Sequence, residues 1–128
     1  MKKLRNVLLM ALSMILCMGC AFDHVTMDNL QEKLKSEANV TTKKISINTS
    51  LLGVDELDDA YLLEDEDGHE LIVGKLSDGT NLTTENVGDS KVGDVIGSNA
   101  VVHNGYVYRI SESYTNYKKC KEILEKLG

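Results

Sequence analysis

The stretch AVVHNGYVYRI, residues 100–110, carries the clearest structural signal in this sequence of 128 residues. Two runs rich in valine and tyrosine flank the dipeptide Asn104-Gly105. Asparagine and glycine tolerate the positive φ angles of a two-residue hairpin turn, and the flanking residues have high β propensity. The stretch therefore predicts two antiparallel strands joined by a tight turn.

A second hairpin is predicted upstream of the first. Residues 60–65 and 69–76 are β-prone runs, and the turn residues Glu66-Asp67-Gly68 lie between them. Asp-Gly is a dipeptide that favours tight turns because its glycine adopts a positive φ at no steric cost. Four strands of an antiparallel sheet are therefore expected from these two hairpins.

The remaining β signals are shorter. Residues 44–48 alternate between polar and apolar side chains, which predicts a half-buried strand. Residues 92–96 predict another short strand. Residues 51–57 suit either a short helical turn or a strand, so the expected number of strands is four to six.

A helix is predicted before this β-rich region, over residues 27–39, with Thr26 or Asp23 as its N-cap. Its apolar residues recur at helical spacing: Met27, Leu30 and Leu34. This apolar stripe is narrow, so the helix needs a sheet or a partner to lie on.

A second helix is predicted at the C-terminal end, capped by Ser111 or Ser113. One stripe of this helix is apolar and is expected to be buried: Tyr117, Cys120, Leu124 and Leu127. Cys120 on that stripe is most simply interpreted as a small buried hydrophobic residue.

These elements predict an α+β fold in which an N-terminal helix, a small antiparallel sheet and a C-terminal helix follow one another. The sheet is expected to be curved or to form an open β-barrel of four to six strands. Roughly a hundred residues are enough for one domain with a single core and too few for two domains. Residues 26–128 are therefore expected to form a single domain.

The charge of the chain is uneven. From Ser50 to Glu112 there are fourteen acidic residues and three basic ones, whereas residues 20–49 are neutral and residues 113–128 carry a charge of +2. A nucleic-acid partner requires a basic surface, so this composition argues against nucleic-acid binding.

The acidic turn at residues 65–70 has the composition of a calcium loop. In an EF-hand register, however, Leu63 and Gly74 fall where carboxylates are needed. A solvated acidic turn is therefore the favoured interpretation. The alternative is weak calcium binding by three side chains: Asp65, Asp67 and Glu70.

Tyr106 and Tyr108 lie two residues apart on a predicted strand and therefore share a face. With few other aromatic residues in the chain, filling the core is the favoured role for both. The alternative is that they form a ligand surface on which a sugar or a peptide stacks.

The first twenty residues predict export. The chain begins with a basic segment, continues with an apolar run over residues 7–18, and reaches Gly19 directly before Cys20. The basic residues are Lys2, Lys3 and Arg5. Twelve helical residues span about 18 Å, against a hydrocarbon core of roughly 30 Å, so the pattern indicates a signal peptide rather than a permanent membrane span.

The end of this segment, Cys17-Met18-Gly19-Cys20, resembles the lipobox of bacterial lipoproteins. In that class a diacylglycerol is attached to the cysteine sulfur and a peptidase cuts just before the cysteine. The resemblance implies that residues 1–19 are removed after Gly19, that Cys20 is lipidated and that residues 20–25 form a tether. The alternative is a conventional signal in which Cys20 is incidental.

Two acyl chains are enough to hold a protein stably on a bilayer. The expected location is therefore the cell membrane on its extracytoplasmic side, or the outer membrane of a Gram-negative envelope. There the protein is expected to be a non-catalytic binding module that presents an acidic β-domain to a protein or envelope partner, without a cofactor.

The alternative function is a small envelope hydrolase that acts on cell-wall or peptide substrates. A cleft that joins two carboxylates, or a histidine beside a serine or Cys120, would favour this alternative. The sequence contains no G-x-S-x-G segment, which would mark a nucleophile elbow.

Overall fold

The computed structural model describes residues 24–128, which form a five-stranded antiparallel sheet with helices. The strand order is β1-β2-β3-β5-β4. The strands are β1 (Lys43–Ser46), β2 (Leu57–Glu64), β3 (Glu70–Leu76), β4 (Val101–His103) and β5 (Tyr106–Ile110). The predicted α+β fold class is confirmed, with an open sheet.

The helices of the described chain frame this sheet. They are α1 (Leu30–Ala38), α2 (Thr49–Leu52), α3 (Lys91–Ile96) and α4 (Tyr117–Leu124), with a short 3-10 helix at Val87–Asp89. The predictions for the signal peptide, for Gly19 and for Cys20 fall on residues outside the described range. Of the predicted tether, His24 and Val25 are described: His24 is exposed, and Val25 is buried and forms a parallel bridge with Leu127.

Alternate side chains of β2 to β5 enter two different cores, as the period of two in a strand requires. Leu63 and Val73 point to the face covered by α1 and α4, and we call this cluster the α1/α4 core. Ala60 and Ile72 point to the opposite face, where α3 covers them, and we call this cluster the α3 core. Strands β2 to β5 are therefore covered on both faces, and the described residues form two hydrophobic clusters where the sequence predicts a single core.

Both predicted hairpins are present. Asn104 and Gly105 have φ angles of 49° and 83°, as a tight turn with two positive φ values requires. In the other hairpin Gly68 has a φ of 85°. The local chemistry of these turns was sufficient to predict them.

Strand β1 is present, but its predicted half-burial is wrong. All four of its residues are exposed, and the side chain of Ile45 retains 38% of its accessible surface. The reason is the position of β1 at the edge of the sheet, where β2 is its neighbour on one side. Ile47, just beyond the strand, is half-buried against the α3 core.

The strand predicted over residues 92–96 is wrong, because this segment forms α3. Val92 and Ile96, four residues apart, are both fully buried on one side of that helix. The Ser90 side chain caps it by accepting a hydrogen bond from Gly93 N at 3.2 Å. Gly93 is required there, since a Cβ atom would lie 2.2 Å from the carbonyl oxygen of Val87.

The terminal helices follow the predicted stripes but not all of the predicted caps. Thr26 and Asn29 cap the turn before α1 reciprocally, each side chain accepting from the other's backbone N–H. The apolar residues of α4 are buried as predicted, with Tyr117 half-buried. Neither Ser111 nor Ser113 caps α4, which begins after Asn116 in a left-handed conformation.

The ambiguous stretch over residues 51–57 begins as a helical turn, α2. Its start is capped by Asn48 Oδ1, which accepts from Leu51 N at 3.0 Å, and Gly53 ends it with a φ of 71°. Leu51 and Leu52 project from this turn with 82% and 55% of their surfaces exposed. They are the most exposed large hydrophobic residues of the described chain.

Candidate functional site

The acidic turn between β2 and β3 contains a buried carboxylate. The side chain of Asp65 is fully enclosed, although it lies in a turn. Its Oδ1 accepts hydrogen bonds from Asp67 N at 2.9 Å and His69 N at 2.8 Å. Its Oδ2 accepts from Thr115 N and Thr115 Oγ1, both at 3.0 Å, and contacts His69 Nδ1 at 3.1 Å.

These hydrogen bonds determine the charge state of Asp65. Burial alone would raise the pKa of its carboxyl group, but the donors of Thr115 and His69 outweigh burial and hold the pKa well below its usual range. Asp65 is therefore an ionised carboxylate that ties the β2–β3 turn to the segment before α4.

The structure brings together two of the three predicted calcium ligands, Asp65 and Asp67. The structure brings ligand atoms of Asp65, Asp67 and His69 within 4.8 Å of one another. Glu70, the third predicted ligand, instead directs Oε1 towards Arg109 Nη2 at 3.7 Å. A cation at Asp65 would have to displace donors that already satisfy both carboxylate oxygens, which favours the acidic-turn interpretation.

Tyr106 and Tyr108 share the face that packs on the α1/α4 core, as their spacing predicted. Tyr108 is 3% exposed and fills this core, and burial raises the pKa of its hydroxyl group. Tyr106 is half-buried and reaches a cleft of about 430 Å³. We call this the Tyr106 cleft; its lining includes Asp28, Asp58, Asp59 and Lys75.

A second cleft lies at the N-terminal end of β4, next to the C-terminal end of β5. Strand β4 begins at Val101, which pairs with Tyr108, so Arg109 and Ile110 at the end of β5 have no neighbour in β4. The resulting cavity, which we call the β5 notch, has a volume of about 290 Å³. Its lining includes Tyr108, Arg109, Ile110, Glu112, Tyr117 and Lys121.

The backbone of Ile110 faces this notch. In an antiparallel sheet, successive residues direct their N–H and C=O groups alternately to the two neighbouring strands. Ser111 N bonds to Glu70 O on the β3 side, so Ile110 points its polar groups the other way. In the described chain the nearby turn closes on itself, with Ala100 N bonding to Gly97 O, and no backbone bond from it reaches Ile110.

Two cationic residues from different elements line the notch, Arg109 of β5 and Lys121 of α4. Arg109 is held by a hydrogen bond from Nε to Ile96 O at 2.6 Å. Gly97 makes room for it, since a Cβ atom there would lie 2.4 Å from that Nε. Lys121 of α4 places Nζ 6.0 Å from the ring centroid of Tyr117.

No local pattern in the sequence indicates that Arg109 and Lys121 line the same cavity. Lys121 lies outside the apolar stripe predicted for the last helix, and Arg109 lies within a predicted strand. The one available signal was that Arg109 is one of only three basic residues between Ser50 and Glu112.

Cys120 is fully buried, as predicted for a residue on the apolar stripe of α4. Its Sγ donates a weak hydrogen bond to Thr115 O at 3.4 Å. Burial, together with the charge of Asp65, raises the pKa of the thiol to about 11. A neutral, enclosed thiol is a poor nucleophile, which disfavours a hydrolase that uses Cys120.

Comparisons with protein-family models, with curated proteins and with solved structures found no match to this chain. Within residues 24–128 we find no helix with the length and apolar character that crossing a bilayer requires.

Proposed function

We propose that this protein is an exported lipoprotein whose domain acts as a membrane-anchored, non-catalytic binding module. The observation that carries the proposal is Gly19-Cys20, at the end of an apolar segment with a basic start. Val25, the first buried residue of the described chain, follows closely. An extended chain reaches at most about 3.5 Å per residue, so an acylated Cys20 would keep the domain at the bilayer surface.

The distribution of charge across the sheet supports a role in binding. Residues 78–96, which include the helix over the α3 core, contain four acidic residues and one basic residue. Helices α1 and α4, on the opposite face, together contain five basic and three acidic residues. Such polarity favours one orientation towards a charged partner or surface.

We propose that the acidic layer over residues 78–96 faces away from the membrane and meets a protein or envelope partner. Anionic lipids attract basic segments and repel acidic ones. The face that carries α1 and α4 is therefore better suited than the acidic layer to lie near the bilayer.

A photo-crosslinking experiment in intact cells tests this arrangement. A crosslinking amino acid would replace Glu85, an exposed residue of the acidic layer, with Lys118 of α4 as the matched control position. We expect a discrete crosslinked band from position 85 that is absent at position 118 and that is lost in a variant lacking Cys20. Equal capture at both positions, or capture independent of Cys20, would contradict the proposed arrangement.

One observation favours the alternative of an envelope hydrolase. The Tyr106 cleft contains neighbouring carboxylates, Asp58 and Asp59, at a register shift of β2, and β-bulges are frequent next to active sites. Asp58 accepts a hydrogen bond from Ser77 Oγ at 2.7 Å, and Asp59 accepts one from Ala60 N at 2.9 Å. Turnover of cell-wall material that disappears in the double Asn variant of these two residues would establish the hydrolase instead.

A further inference from the structure

We propose that the β5 notch binds the C-terminal end of an extended peptide, with the terminal carboxylate held between Lys121 and Arg109. This inference goes beyond the proposed function: it rests on the domain being a binding module, and it adds a ligand site at the sheet edge that is separate from the acidic layer. The argument combines an open backbone position, two cations and the size of the cavity.

The open backbone position is Ile110. Its N–H and C=O groups point to the β4 side of β5, beyond the pair of Val101 and Tyr108 at which β4 begins. Unpaired groups at a strand edge are a template for another extended chain. A peptide bound there would accept a hydrogen bond from the N–H of Ile110 and donate one to its C=O, as in β-strand addition.

The cations define which part of a peptide fits. Arg109 uses Nε for Ile96 O and lies 3.7 Å from Glu70 through Nη2, so its remaining N–H donors are available to a ligand. Lys121 stands on the opposite side of the notch, beside the ring of Tyr117. Charge-assisted hydrogen bonds from such groups to a carboxylate are about twice as strong as neutral ones.

The cavity and its one acidic side chain restrict the ligand further. A volume of about 290 Å³ lies at the lower limit of ligand pockets, roughly 300–1,000 Å³, and therefore suits one terminal residue rather than a long segment. Glu112 also lines the notch. Its carboxylate repels anions, and it repels a dianion such as phosphate more strongly than the single charge of a peptide carboxylate.

Backbone amide NMR on the full-length protein, purified in detergent, tests the inference with two matched probes. These are N-acetyl-Ala-Ala with a free carboxylate and the same dipeptide with a C-terminal amide. We expect saturable shifts at Ile110 and in α4 for the free acid, and binding of the amide weaker by about tenfold. Equal binding of both probes, or no saturable shift with the free acid, would overturn the proposal.

Three variants distinguish binding at the β5 notch from a general electrostatic attraction of the free acid to the protein. Lys121→Met should weaken binding of the free acid by about tenfold, whereas Lys118→Met, on the same helix but outside the notch, should leave it unchanged. Glu112→Gln should tighten binding by a few fold because it removes a repelling charge. An equal loss from both lysine variants, or a weakening by Glu112→Gln, would contradict the site.

The same experiment distinguishes this inference from the anchor. Cys20→Ala protein should bind the dipeptide as tightly as the wild type, since the notch lies wholly within the described domain. Failure to find an acyl group would remove the membrane attachment and leave peptide binding intact. Failure of the dipeptide to bind would remove the ligand and leave the attachment intact.

Discussion

Asp65 and Thr115, fifty residues apart in the chain, are joined by two hydrogen bonds of 3.0 Å to one carboxylate oxygen. Through this contact the turn between β2 and β3 fixes the segment that leads into α4. Helix α4 in turn carries Lys121, which lines the β5 notch. The hydrogen bonds of Asp65 therefore contribute indirectly to the geometry of the candidate binding site.

Replacing Asp65 by asparagine should destabilise the fold substantially. Asparagine keeps the shape but removes the charge and places an NH₂ group where donors already converge. Hydrogen bonds to a charged, buried group contribute on the order of 1.5–3 kcal/mol each, and we expect a total loss of about 3 kcal/mol. Urea denaturation measures the loss, and Asp67→Asn in the exposed part of the same turn serves as control. Similar losses in both variants would contradict a special role of Asp65.

The acid sensitivity of the fold should depend on the same residue. The pKa of Asp65 is lower in the folded protein than its ordinary value of 3.8, so its ionisation stabilises the fold fully above that value. This contribution is lost progressively as the pH falls from about 5 through the folded pKa. Unfolding midpoints between pH 7 and pH 3 should therefore fall less steeply for Asp65→Asn than for the wild type. Parallel curves would show that the carboxylate does not contribute in this way.

The contribution of the Ser90 cap of α3 to the free energy of unfolding should be measurable on its own. Ser90→Ala removes both the hydrogen bond from Gly93 N and the one that Ser90 Oγ donates to Val87 O at 2.7 Å. Loss of a serine N-cap costs about 1 kcal/mol. Ser50→Ala, in the exposed turn α2, should change the free energy of unfolding by less than about 0.5 kcal/mol. An unchanged stability of the Ser90 variant would argue against the observed cap.

Cys120 should be unreactive in the folded protein. Its thiol is enclosed and its pKa is raised to about 11, so alkylation by iodoacetamide at pH 7.5 should be slow. In urea the same thiol should react rapidly, because thiolate reactivity follows exposure and pKa. Rapid labelling of the native protein would indicate that α4 opens readily or packs differently.

The hairpins could be predicted because their turns depend on neighbouring residues alone, as Asn104 and Gly105 show. The conformation of residues 92–96 could not be predicted, since the short sequence Val-Gly-Asp-Val-Ile suits both a strand and a helix. Burial of Val92 and Ile96 on one helix face decides between them only in the folded chain.

Strand order and side-chain convergence are long-range properties. The exposure of Ile45 follows from the position of β1 at the sheet edge, which local alternation does not determine. The β5 notch requires β4 to begin no earlier than Val101 and α4 to lie beside it. Arg109 and Lys121 therefore line one cavity that no local pattern indicates.

Mass spectrometry of the N-terminal peptide, from protein purified out of its native membrane, tests the central claim most directly. The account predicts that the peptide begins at Cys20 and carries the added mass of a diacylglyceryl group, and that a Cys20→Ser variant lacks this mass. An unmodified Cys20, or a first residue other than Cys20, would contradict the membrane-anchored module.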